Sequence, residues 1–244
     1  MAAPLPPPTL RHFWDRDTAA FTGILHVLNK GPRYDQEDVV QHMWNAIFNL
    51  YYGSIAVHPF APRWTVIREP YRGLPPLNLS QKKPDVVAVV AKFQQAIGLQ
   101  HRDTVWVECK APNHDTPSRW KNLINEATVR LNNAHPTRRL FIIFAVGLKL
   151  MVFLWLPQAA GGVGLTIRGH GRNWTLDPRI QPLHPSPWYN AAAHEVVISQ
   201  AIVLDCFTRT PGGTLQNWPM LQWLHSFLIF TSQVTFPGMN PGIW

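Results

Sequence analysis

Hydrophobic residues recur at helical spacing in two segments of the chain. In residues 35–52, apolar side chains three or four positions apart alternate with a polar stripe, which predicts an amphipathic helix. A second helix is predicted from Thr116, a capping residue followed by proline, to about Asn133. The apolar positions of the two helices are Val40, Trp44, Ile47 and Tyr51, and Trp120, Ile124, Ala127 and Leu131.

Five segments have the composition of β-strands. Three lie between the predicted helices, at residues 64–69, 85–90 and 104–110, and the second of them is nearly continuous in valine, as expected of a strand covered on both faces. Residues 140–146 and 150–155 are apolar runs on either side of a Gly-Leu-Lys turn, which predicts a buried hairpin. The order α-β-β-β-α-β-β over residues 35–156 predicts a mixed α/β domain.

The flanking segments have a different character. Residues 1–34, with their proline-rich start, are predicted to be an N-terminal tail and lead-in. Residues 157–244 begin with a glycine-rich connector and are predicted to form a loop-rich and helical extension, with helices at 188–207 and 219–231. The last helix is apolar nearly all round, so we expect this extension to be packed on the core or on a partner.

Composition and charge limit the kinds of partner and the cellular compartment that we expect for this protein. Charged residues make up only 15% of the chain, yet the net charge is +8, and residues 1–156 carry 18 basic and 11 acidic side chains. A basic surface attracts polyanions, so nucleic acid is an expected partner. Two cysteines without zinc spacing indicate a reducing compartment, and the first residues lack the features of a secretory signal. We therefore expect an intracellular protein of the nucleus or the cytoplasm.

One apolar run could be mistaken for a membrane span. Residues 140–155 are almost entirely apolar, but they are fewer than the ~20 that a spanning helix needs. Lys149 and the turn residues also interrupt the run. A membrane-associated protein stays a lesser alternative to the buried hairpin.

The chemistry-bearing residues lie on the predicted strands. Side chains alternate along a strand, so Glu108 and Lys110 share one face with Trp106, whereas Cys109 faces the opposite way. Asp85 begins the neighbouring strand and can reach the same place. Two carboxylates beside a lysine form a donor set for Mg²⁺, or for Mn²⁺, and favour phosphodiester hydrolysis.

Pro84-Asp85 and Glu108-Cys109-Lys110 resemble the motif of the PD-(D/E)XK nuclease superfamily, and the order of elements over residues 35–156 resembles its restriction-endonuclease-like α-β-β-β-α-β core. The resemblance implies that Asp85 and Glu108 bind the metal and that Lys110 assists the attacking water. It also implies a DNA or RNA substrate, of which DNA is the one we prefer. The spacing of residues 120–131 and 147–149 after the motif is similar to that of uncharacterised fungal nuclease-like proteins.

Further residues are candidates for the same site. Members of this superfamily often carry an acidic residue on the first helix, and Glu37 continues the buried stripe of the helix predicted here. Its alternative role is that of a first-turn acid favoured by the helix dipole. Candidate nucleic-acid contacts are Lys82, Lys83, Arg119 and Lys121, for which solvated surface charges are the alternative. Glu126 and Arg130 on the second helix are candidates for the site as well, but they are four residues apart and a surface pair is the preferred interpretation.

Two function hypotheses follow. The first is a metal-dependent nuclease that hydrolyses phosphodiester bonds of DNA or RNA. The second is a non-catalytic binding or scaffold module of the same fold, which acts through its apolar C-terminal extension and forms a homodimer through the C-terminal helices. The complete set of two carboxylates and a lysine favours the first, and neither hypothesis involves a membrane.

Overall fold

The computed structural model describes residues 11–52, 63–68, 85–94, 98–169, 172–183 and 188–233. Within these ranges the chain is a mixed α/β fold with four helices and two sheets. The helices are α1 (Ala19–Lys30), α2 (Asp38–Tyr52), α3 (Pro117–Ala134) and α4 (Trp218–Gln233). The strands are β1 (Arg63–Arg68), β2 (Val86–Gln94), β3 (Gly98–Lys110), β4 (Leu140–Val146), β5 (Lys149–Trp155), β6 (Thr166–Gly169), β7 (Arg172–Thr175), β8 (Ile180–Pro182), β9 (Tyr189–Asn190), β10 (Glu195–Val197) and β11 (Ile202–Val203).

The large sheet has the order β1-β2-β3-β4-β5-β11, and β8 also pairs with β5. Strands β1, β2 and β3 form an antiparallel meander, and β4 then runs parallel to β3. Parallel neighbours need a long crossover, which here contains α3. The C-terminal ends of β3 and β4 and the start of β2 therefore meet at one edge of the sheet.

Helices cover both faces of this sheet. On β1, the Trp64 indole donates a hydrogen bond to the carbonyl of Ser232 in α4, and Arg68 contacts α2. On the other face of β3, Trp106 packs edge-on against His135, which directly follows α3. The smaller sheet, β7-β6-β10-β9, lies beside α3 through β6. The hydrophobic core extends through both halves of the chain, from Phe13 to Leu228.

The predicted elements of residues 35–156 agree with the structure within a few residues, except that β2 and β3 extend further towards each other. The hairpin predicted at 140–155 is β4 and β5, joined through Gly147 with φ of +56°. Within residues 1–34, the segment predicted as a tail and lead-in, residues 19–30 form α1, a helix that the sequence analysis did not predict. This helix is capped by the Thr18 side chain and packs its buried Ile24 and Val27 into the core.

The prediction of a helix at residues 188–207 is wrong. Ala193, Val197, Ala201 and Leu204 have helical spacing, but Ala193 is exposed and the segment forms β9, β10, β11 and turns. The β-branched runs at 196–198 and 202–203 favour strands instead. Two of these short strands extend the small sheet, and the third pairs with β5 in the large sheet.

The helix predicted at 219–231 is α4, and its apolar surface is largely buried within the chain. Leu221, Leu224 and Leu228 have no or almost no exposed surface, while Trp218 at the start of the helix keeps 38% of its surface exposed. Pairing between two copies through this helix stays a prediction. Among the described residues, no helix is both long and apolar enough to cross a membrane.

The connector after β5 offers a test of the packing. A Cβ added at Gly164 would lie 2.0 Å from the carbonyl oxygen of Leu176, whereas a Cβ at Gly161 would meet no atom within 4 Å. We expect Gly164→Ala to lower the free energy of unfolding by about 1–3 kcal/mol, because backbone must shift to admit the methyl group. Gly161→Ala is the matched control, and urea unfolding followed by tryptophan fluorescence measures both. Equal stabilities would contradict this packing.

Candidate active site

Asp85 lies just before β2, opposite the end of β3. Its side chain is buried and accepts two hydrogen bonds, one from the backbone N–H of Cys109 at 2.5 Å and one from the Gln41 side chain at 3.1 Å. Val86 is paired with Val107 in the ladder, so Asp85 lies beside Glu108. The neighbouring strand ends thus hold two carboxylates close together, as the sequence predicts.

Glu108 is completely buried, with no exposed surface. Its Oε2 atom forms an ion pair with the guanidinium of Arg130, which reaches across from α3. Its Oε1 atom is buried and has no hydrogen-bond partner among the described residues. Burying a carboxylate oxygen without a partner lowers the stability of the fold. Such an oxygen can accept a hydrogen bond from a ligand or coordinate a metal ion.

Lys110 is the last residue of β3, and its ammonium lies between two glutamates. The Nζ atom is 3.3 Å from Glu37 Oε2 and 3.8 Å from Glu126 Oε2. Glu37 does not lie within α2 but precedes it, and its carbonyl accepts the first helical hydrogen bonds, from Val40 and Gln41. The helix predicted from residue 35 therefore begins three residues later, while the side chain of Glu37 still reaches the site.

Burial changes the acidity of the two carboxyl groups. Desolvation raises the pKa of Asp85 to about 6, although the N–H of Cys109 lowers it. Desolvation and the nearby charge of Asp85 hold the pKa of Glu108 well above its usual value. Burial is the first cause of both shifts, because it favours the neutral form of each carboxyl group.

The ammonium of Lys110 responds in the opposite direction. Burial lowers the pKa of Lys110, but the neighbouring carboxylates of Glu37, Asp85 and Glu126 outweigh this effect, and the net shift is upward. Lys110 is therefore a cation at neutral pH. Its charge offsets part of the repulsion between the two buried carboxylates.

Of the candidate nucleic-acid contacts, Arg119 and Lys121 lie within the described residues, both in the first turns of α3. Arg119 is exposed near the start of α3. The ammonium of Lys121 lies 5.5 Å from the ring centre of Trp174 in β7, so its side chain turns towards the small sheet. Lys82 and Lys83, together with Pro84 of the motif, lie outside the described residues.

Gln41 and Arg68 were not connected with the site from the sequence, and Glu126 and Arg130 were assigned to a surface pair in preference to the site. Gln41 is buried and donates to Asp85, and Arg68 of β1 donates to the Gln41 side chain at 3.0 Å. Gln41 is one helical turn after Glu37, a signal that could have found it. The predicted surface pair of Glu126 and Arg130 is wrong, because each contacts a β3 residue instead. Only the register of α3 on the sheet reveals this arrangement.

The donor set is compatible with a hard divalent cation. Mg²⁺ commonly takes one or two carboxylates and completes its shell with water and phosphate oxygens. Asp85 and Glu108 supply buried carboxylates, and Glu108 Oε1 is without a partner among the described residues. Within the same part of the chain, no group of three or more His, Cys, Asp and Glu side chains is arranged to hold a metal ion. The fit therefore rests on two carboxylates, and Glu37 is engaged by Lys110.

No protein-family model, curated protein or solved structure matches the chain. The geometry of its own residues is therefore what bears on function.

The raised pKa of Asp85 has a consequence for stability. Between about pH 4 and pH 6 the native state keeps a proton that the unfolded chain releases, so the free energy of unfolding falls as the pH rises through this window. We expect the metal-free protein to lose about 2–3 kcal/mol relative to Asp85→Asn on passing from pH 4 to pH 7.

Urea unfolding in EDTA at several pH values measures this difference. Asp38→Asn is the matched control, since Asp38 is exposed at the start of α2. Its stability profile should run parallel to that of the unsubstituted protein. If the stability profile of Asp85→Asn were also parallel to that of the unsubstituted protein, the raised pKa of Asp85 would be contradicted.

Proposed function

We propose that the protein is a metal-dependent nuclease of the PD-(D/E)XK type that hydrolyses phosphodiester bonds, with DNA as the first substrate to test. The observation that carries the proposal is the placement of Asp85 and Glu108, both buried, at adjacent strand ends, with Lys110 two residues further on the same strand face. A nucleic-acid substrate goes with an intracellular location, in the nucleus or the cytoplasm.

In this proposal, Asp85 and Glu108 hold Mg²⁺ or Mn²⁺. The bound metal supplies a water of lowered pKa and neutralises charge on the phosphate. Lys110 is kept protonated by its carboxylate neighbours, so it orients the attacking water and offsets developing negative charge. Gln41 fixes the orientation of Asp85 through its hydrogen bond. Glu37 holds Lys110 in place and stays a further candidate for the metal shell.

The charge of the site supports a cationic ligand. Four carboxylates surround two cations, so with all groups ionised the cluster carries an excess of two negative charges. A divalent cation would balance this excess. The residues that form the cluster are Asp85, Glu108, Glu37 and Glu126, with Lys110 and Arg130.

The order of strands and helices also supports the proposal. An antiparallel meander of β1, β2 and β3 leads through α3 to the parallel strand β4. This is the order that the resemblance to the restriction-endonuclease-like fold predicts for residues 35–156.

The competing interpretation, a non-catalytic module of the same fold, has one specific observation in its favour. Arg130 already pairs with Glu108, and Lys110 already pairs with Glu37, so the site has internal counter-ions. A protein of this kind would be indifferent to Mg²⁺ and would act through its surfaces. The two functions differ in what they predict for metal binding.

Calorimetric titration with Mn²⁺ and a cleavage assay on labelled DNA and RNA test the nuclease proposal. We expect the unsubstituted protein to bind Mn²⁺ and to cleave nucleic acid only when metal is present. Asp85→Asn should lose metal binding, because it removes one of the two carboxylate ligands. Lys110→Ala should still bind metal but cleave about a hundredfold or more slowly, since the water loses its orienting cation.

Lys30→Ala at the end of α1 is the matched control for the lysine substitution. It should match the unsubstituted protein in both assays. A folded, unsubstituted protein that neither binds Mn²⁺ nor cleaves DNA or RNA would refute the nuclease function. If that protein were also a stable dimer, the scaffold hypothesis would replace it.

Neighbouring residues at the start of α2 provide a sharper comparison. Glu37→Gln should slow cleavage by about tenfold or more, because Lys110 loses the nearer of its two ion-pair partners. Asp38→Asn removes the same charge from the next, exposed position and should leave the cleavage rate unchanged. Equal effects of the two substitutions on the rate would show that Glu37 acts only through net charge.

A further inference from the structure

Arg130 forms an ion pair with Glu108, and such a pair is not expected of a glutamate that binds a metal ion. It projects from α3 with only 15% of its side chain exposed, and its guanidinium pairs with Oε2 of the fully buried Glu108. Glu108 is its one ion-pair partner among the described residues. The guanidinium therefore supplies the nearest positive charge to the buried carboxylate.

A divalent cation at Glu108 would change the forces on this arginine. The cation would compete for the same negative charge and would repel the guanidinium at short range in a poorly solvated site. Lys110 is better anchored, because two glutamates hold its ammonium. Arg130 is thus the cation of the site that metal binding would displace.

A displaced guanidinium could bind a phosphate of the substrate. A planar guanidinium can donate two parallel hydrogen bonds to a phosphate, which makes arginine well suited to bind one. Arg119 lies three helical turns earlier on the same side of α3 and is exposed. The two arginines would therefore follow one line along the helix, from the buried site to its surface.

We propose that Arg130 is a counter-ion exchanged during the reaction: it neutralises Glu108 in the metal-free protein and turns to a substrate phosphate when metal is bound. This inference rests on the proposed nuclease function. It adds that metal binding and substrate binding are coupled through one side chain. The ion pair in the metal-free protein therefore lowers the affinity of the site for both the metal ion and the substrate.

Metal affinity provides the first test, without any measurement of activity. Arg130→Gln removes the competing cation, so we expect it to bind Mn²⁺ about tenfold more tightly than the unsubstituted protein in calorimetric titration. The titration is made at about pH 8.5, since loss of the arginine raises the pKa of Glu108 further and a proton would otherwise compete. Arg138→Gln, at an exposed position beyond α3, is the control for the change in net charge.

Substrate affinity provides the second test. Ca²⁺ replaces Mg²⁺ to prevent cleavage, and fluorescence anisotropy measures the binding of a short labelled DNA duplex over a range of salt concentrations. In Ca²⁺, Arg130→Gln should bind more weakly, and the slope of log affinity against log salt should fall by about one, as expected for one lost phosphate contact. In EDTA the slope should be the same for both proteins, because Arg130 is then held by Glu108.

Arg130→Lys guards against a failure of the glutamine variant to fold. Lysine retains a charge that can pair with Glu108, so Mn²⁺ affinity should stay within about twofold of the unsubstituted value. It cannot donate the paired hydrogen bonds of a guanidinium, so DNA binding in Ca²⁺ should still weaken.

The outcomes separate this inference from the function on which it rests. Unchanged or weaker Mn²⁺ binding by folded Arg130→Gln would overturn the exchange, and Arg130 would then only support Glu108. An equal loss of DNA affinity in EDTA and in Ca²⁺ would overturn it as well. In both cases a metal-dependent cleavage by the unsubstituted protein would leave the nuclease function standing. If the unsubstituted protein binds no Mn²⁺, both proposals fail.

Discussion

A fully buried carboxylate is the constraint on which one end of the large sheet depends. Glu108 lies in a strand whose neighbours along the chain are Val107 and Cys109, and it has no contact with solvent. Burying a charge in apolar surroundings costs several kcal/mol unless a partner is supplied. The partner comes from α3, so the crossover helix does more than link two parallel strands. Its position along the sheet is fixed by an ion pair as well as by apolar packing.

The two faces of β3 serve different purposes at this end of the sheet. Val105 and Val107 face the core on the side of α2, while Trp106 and Glu108 face α3. Beyond the last paired residues of β2 and β3, the backbone N–H of Cys109 donates a hydrogen bond to the carboxylate of Asp85. An acidic side chain here takes the place of a ladder hydrogen bond. The same interaction that ends the strand pairing therefore positions one of the proposed metal ligands.

The sequence predicts elements well where a single periodicity is strong. For α2 the helical pattern is supported by a polar stripe, and for α3, β4 and β5 the pattern is supported by a capping residue or by turn residues. Alternation alone places Glu108 and Lys110 on one face. The prediction for residues 188–207 failed because alanines and valines at helical spacing matched a helix, whereas the β-branched runs of this segment form short strands. The partners of the site residues lay beyond prediction for another reason. Arg130 and Gln41 reach β3 and Asp85 only through the packing of helices on the sheet, which local periodicity does not specify.

Strand β5 draws its outer partners from the last part of the chain. Residues 149–150 pair with β11 and residues 153–155 pair with β8, so two separate segments cover one strand edge. During synthesis, β5 is complete about 25 residues before β8 and about fifty residues before β11 is made, and the backbone groups that each of them pairs with lack partners until then. A nascent or truncated chain ending near residue 156 would expose an apolar strand open to pairing with other chains. Strands β8 and β11 thus protect the edge of β5 against pairing with other chains, and this protection is complete only after residue 203 has been made.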